Sequence, residues 1–109
     1  MGLAASQARA LALMARRSDL ELAAQQIAQS RQQLANITNQ LFTLSSNLDP
    51  NSPQVHVMQM RISAIQGLDK SLELQMKRVD TQRNSIVAEY DGLLKLIGKN
   101  IELGFKYMG

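Results

Sequence analysis

The chain contains no cysteine and no tryptophan, two prolines, and four aromatic residues among its 109 positions. Without cysteine there is no disulfide framework, no thiolate nucleophile and no thiolate metal site. His56 is the sole histidine. It has no second ligand at metal-type spacing and no route to a Ser-His-Asp arrangement, so an exposed or capping role is expected. No glycine-rich loop follows a strand, which leaves phosphate without a cradle. Glu89 and Asp91 sit two positions apart on different faces of any helix, too divergent for paired-carboxylate chemistry. A pair of helices also offers no concave pocket. These absences predict a chain that is not an enzyme and carries no metal and no cofactor.

Charge of one sign is lacking too. Twelve basic and nine acidic residues are interspersed to a net +3. Arg16-Arg17 and Lys77-Arg78 are isolated pairs, where a nucleic-acid platform needs a basic stripe with stacking aromatics. No nucleic-acid partner is expected. No run is apolar enough to span a membrane. The Ala- and Leu-rich start, Met1 to Met14, has no basic leader and is interrupted by Gln7 and Arg9, so it is not expected to act as a cleaved signal.

What remains is the vocabulary of long helices: Leu, Ile, Met and Ala mixed with Gln, Asn, Arg and Lys. Both prolines fall in the only breaker cluster, Ser45 to Pro53. Pro50 pushes Asp49 out of helical space and ends the first helix. Ser52 reads as an N-cap with Pro53 at the first helical position. The expected fold is all-α: a single helical-hairpin domain over 1–109, with helix 1 at about 3–47, a turn at 48–52 and helix 2 at about 53–107. At about 1.5 Å per residue the helices would be roughly 65 and 80 Å long, and the short turn makes them antiparallel neighbours.

Both helices carry a seven-residue repeat, the mark of a seam against another helix. In helix 1 it is Leu13, Leu20, Ile27, Leu34, Leu41 and Leu48, with Ala23, Ile37 and Leu44 three positions beyond members of the series. In helix 2 it is Met58, Ile65, Leu72, Val79, Ile86 and Leu93, with Ile62, Met76, Tyr90 and Ile97 four beyond. Asp69 and Arg83 occupy the second series, and such polar breaks set register at a cost in stability. Ser18-Asp19-Leu20-Glu21 has the form of a capping box, so helix 1 either breaks there or carries these as exposed polar residues. The Gln-rich face (Gln25, Gln26, Gln29, Gln32, Gln33, Gln40) reads as solvated helix or as a polar contact between subunits.

The C-terminal segment has more apolar surface than one partner covers. Beside the seam lie Val87, Leu94, Ile101, Phe105 and Met108, with Leu96 and Leu103 in a third direction. A helix apolar nearly all round is buried nearly all round. The chain has no further helix to supply that cover, so copies of itself are the expected partners. Gly92, Gly98 and Gly104 in this segment suggest close approach by neighbours or local kinks.

The layout resembles the small axial subunits of bacterial type III export systems. Their needle subunits share the order N-terminal helix, short Pro-x-x-Pro-like turn and longer C-terminal helix; the turn here is Asp49-Pro50-Asn51-Ser52-Pro53, followed by a similar mixture over Arg61 to Lys77. Leu74-Gln75-Met76, with Arg83-Asn84-Ser85-Ile86-Val87-Ala88-Glu89-Tyr90, resembles the C-terminal stretch of the small flagellar hook–basal body rod protein. Gln25-Gln26 and Leu34-Ala35-Asn36-Ile37-Thr38-Asn39 are similar to the N-terminal signature of flagellar axial proteins. Each likeness covers under a third of the chain, which is longer at its C-terminal end than a usual needle subunit. The resemblance implies a bacterial homopolymer, needle or rod, at the cell surface or outside it. It would be cytoplasmic before assembly, exported without a cleaved signal, and in contact with other components of an export machine. The competing expectation is a small helical adaptor or chaperone in a defined dimer or hetero-complex.

Overall fold

The computed structural model describes residues 2–108 and, at the C-terminal end, side chains as far as Lys106. It is an all-α helical hairpin: α1 spans Leu3–Ser46 and α2 spans Pro53–Met108, with no strand among the described residues. α1 runs unbroken through Ser18 and Asp19. The capping-box residues therefore stay helical, and Glu21 bonds Arg17 one turn back at 3.2 Å instead of capping a helix start. α2 likewise runs unbroken past Gly92, Gly98 and Gly104, and at each of the three a Cβ would meet nothing within 4 Å. Close approach at these glycines, if any, is not to this chain.

The last turn of α1 is crowded with hydroxyls that bond back to its own carbonyls. Thr43 Oγ1 donates to Asn39 O, Ser45 Oγ to Phe42 O and Ser46 Oγ to Thr43 O, at 2.8–3.0 Å. The amides of Asn47 and Leu48 tighten onto the carbonyls of Leu44 and Ser45. Such local bonds compete with helix continuation and suit a terminus. The turn that follows is built on Asp49. Its carboxylate accepts from the Asn51 amide at 3.0 Å, and its carbonyl accepts from the Ser52 amide at 2.9 Å. No described residue needs a positive φ. Ser52 Oγ then accepts from the Val55 amide at 3.3 Å, an N-cap bond at the third helical position, with Pro53 where a missing N–H costs nothing.

The helices form two compact units, each containing a stretch of both. The turn unit is Ala24–Arg78, and its buried apolar residues are Ala24, Val55 and Ile62. The terminal unit is Met1–Ala23 with Val79–Gly109. There Ala10, Leu13, Leu20 and Leu93 are buried, and so is Ser6, which is fully enclosed and whose Oγ has no hydrogen-bond partner.

Ser52→Ala is expected to lower the stability of the hairpin by about 1 kcal/mol, the usual cost of losing an N-cap oxygen. Urea unfolding followed by helical circular dichroism checks it; a midpoint equal to that of the parent chain would show that the cap bond contributes nothing.

Candidate assembly surface

Burial along α2 follows the three-and-four spacing without a gap. Val55, Ile62 and Leu93 are buried, and Met58, Ile65, Asp69, Leu72, Met76, Val79, Arg83, Ile86, Tyr90 and Ile97 are half-buried. Along α1, Leu13 and Leu20 are buried and Ile27, Leu34 and Leu41 half-buried. The end of that series, Leu48, falls past the helix and is exposed.

The second line of α1 differs from the expected one. Three residues beyond the repeat, Ile37 and Leu44 are exposed and Ala23 is half-buried. From Leu20 onward the seam instead uses the positions four beyond: Ala24 is buried, and Arg31, Thr38 and Ser45 are half-buried, while Arg17, four beyond Leu13, is exposed and Ala10, three before it, is buried. On that line, in the turn unit, Arg31 Nε and Nη2 donate to the two carboxylate oxygens of Asp69, at 2.8 and 3.2 Å. The bond from Arg31, helped by its positive charge, holds the Asp69 carboxyl below the usual aspartate range against the opposing pull of partial burial. The same bond raises Arg31. The other seam cation, Arg83, pairs with Asp80 on its own helix.

Beside this pair the turn unit carries an open groove of about 580 Å³, lined by Ala28, Ala35, Thr38, Ile65 and Gln66 as well as the pair itself. This corrects the expectation that a pair of helices offers no concave pocket. In the terminal unit two residue pairs bond across the helices. Arg9 donates to Glu89 Oε1 at 2.8 and 3.0 Å in full view of solvent, and the Tyr90 hydroxyl donates to Met14 Sδ at 3.6 Å. An exposed pair of the first kind contributes little, about 0–1 kcal/mol.

The residues expected to mediate assembly lie outside the seam. Val87, Leu94, Ile101 and Leu103 are exposed, Phe105 is 75% exposed, and Leu96 is half-buried. The side chain of Met108 lies outside the described residues. The terminal unit adds exposed Leu3, Leu11, Met14 and Leu22 from α1. His56 is exposed beside the turn, and no helix among the described residues is long and apolar enough to cross a membrane.

No protein family, curated protein or solved structure matches the chain.

Sequence reasoning missed Ser6, Ala10, Ala24, Arg31, Thr38, Ser45 and Val55 as seam residues. For Arg31 a signal was present: it and Asp69 are equidistant from Pro50, and an antiparallel hairpin brings such positions together. Ala24, Thr38 and Ser45 are small or weakly apolar and are marked only by their four-residue offset from the leucine series, whereas Ser6 and Val55 extend the two repeats toward the start of each helix.

A depressed Asp69 pKa stabilises the fold above the ordinary aspartate range, and that stabilisation is lost as pH falls through the folded-state value. Asp69→Asn is therefore expected to be less stable than the parent at neutral pH and to lose less stability on acidification below about pH 4. Thermal melts across this range test it; parallel pH profiles for the two chains would refute the role of the pair.

Proposed function

We propose that this chain is a structural subunit that assembles with copies of itself, through the apolar C-terminal part of α2, into a filament, needle or rod. The single observation that carries the reading is the exposed apolar set Val87, Leu94, Ile101, Leu103 and Phe105 in the terminal unit. Among the described residues no helix besides α1 and α2 is present to cover them.

Magnitudes favour many copies over one partner. Each of the five side chains is roughly half exposed, so burying the rest is worth about half of the ~1.5–3 kcal/mol for full burial, on the order of 5 kcal/mol together. A contact that covers this set on both of two copies gains on the order of 10 kcal/mol. Association costs about 4–15 kcal/mol in lost freedom and ordering. One contact through this set is then marginal by itself, and a stable polymer needs further contacts through other surfaces of each copy. The resemblance to needle and rod subunits supports a type III export conduit at a bacterial cell surface as the kind of polymer. In that setting the Gln-rich face of α1 suits a wet inter-subunit contact.

A second reading draws on the groove beside Arg31 and Asp69. A small adaptor or chaperone that lays a partner's helix there would form a complex of fixed size. Light scattering separates the two, since a subunit of a polymer gains mass with concentration and an adaptor does not.

Removing residues 101–109 is expected to abolish polymers in negative-stain micrographs while leaving a helical chain by circular dichroism. Polymers of unchanged form after the truncation would overturn the reading.

A further inference from the structure

The exposed apolar residues of α2 are themselves a second seam. Val87, Asp91, Leu94, Gly98, Ile101 and Phe105 follow one another by four, three, four, three and four positions. That alternation places them in one line along the helix, and a line of this period fits another helix. All six are exposed and lie apart from the seam with α1. Gly98 lies on this line, and a Cβ there would meet nothing within 4 Å. Nothing inside the chain requires glycine there, and in mid-helix it is a poor choice.

Charge decides how a partner lies on this line. Lys95 and Glu102 flank the seam on the same side, seven positions apart and centred on Gly98 within half a residue. Both are exposed, and neither takes part in an ion pair among the described residues. In an antiparallel crossing of two identical helices at Gly98, Lys95 of each copy faces Glu102 of the other. Leu94 then meets Ile101, and glycine meets glycine where the backbones are closest.

We propose that the occupant of this face is a second copy of the chain, joined by a two-fold, antiparallel contact between the 91–105 stretches of α2, centred on Gly98 and set by two reciprocal Lys95–Glu102 pairs. The inference rests on self-assembly through the tail and adds its geometry. A two-fold contact closes on itself, so the polymer would be built from such pairs, joined end to end or side by side through other surfaces.

The test uses full-length chains with charge reversals, read by sedimentation at low ionic strength, where exposed charges are least screened. Lys95→Glu and Glu102→Lys are each expected to weaken pairing about tenfold, because each sets like charges opposite one another twice. The double reversal is expected to restore it. Because the chain has no cysteine, mixing Lys95→Cys with Glu102→Cys chains reports direction as well. Mixed disulfides should form faster than like-with-like ones, and the reverse preference would sink the antiparallel arrangement. Single reversals that leave pairing intact, or a double reversal as weak as the worse single, would overturn the proposal. If the truncation of residues 101–109 still abolishes polymers in that case, assembly through the tail survives and only this geometry falls. A parent chain that stays monomeric at every concentration removes both.

Discussion

A helix in a hairpin can turn only one face to its single neighbour, and most of what this protein does follows from that limit. The face used is narrow: two lines of side chains on each helix, at three-and-four spacing. On α2 those lines are mainly Leu, Ile, Met and Val. On α1 one line is leucine-rich, while the other runs through Ala10, Ala24, Arg31, Thr38 and Ser45. The small and polar second line keeps the burial per turn modest. Few residues in either unit are fully enclosed, and one of them, Ser6, is a hydroxyl with no partner. A seam of this kind specifies a pairing more firmly than it stabilises one.

The Arg31–Asp69 pair shows how that specification works. Both groups are too exposed for the bond to add much stability, since solvent screens it. It marks which line of α1 lies against α2, the one through Ala24, Arg31 and Thr38. The apolar residues Ile37 and Leu44, off that line, remain exposed. At the C-terminal end of α2 the seam takes Ile86, Tyr90, Leu93 and Ile97 and likewise leaves a second apolar line outside.

Much of this was legible from residue order. The turn could be read because proline constrains the residue before it and removes an amide, effects that act within a few positions. Ser52 as the cap followed from the same local rules. The leucine and isoleucine repeats of both helices were legible because a seven-residue period has few causes other than a helix partner. The companion line of α1 was misread as Ile37 and Leu44, since hydrophobicity alone favours them. Nothing local says that Arg31 will lie in the seam; that depends on a carboxylate 38 positions away.

By itself, then, the sequence determined the helical class, the position of the turn, the leading line of each seam and the surplus of apolar residues near the C-terminus. These rest on backbone preference and periodicity, which short stretches of chain already contain. Only the tertiary structure decided which second line α1 buries, which partner each seam charge finds, and which apolar side chains stay in water. Those outcomes depend on how one helix is rotated against the other, and that rotation is set by pairs of residues far apart in the chain acting together.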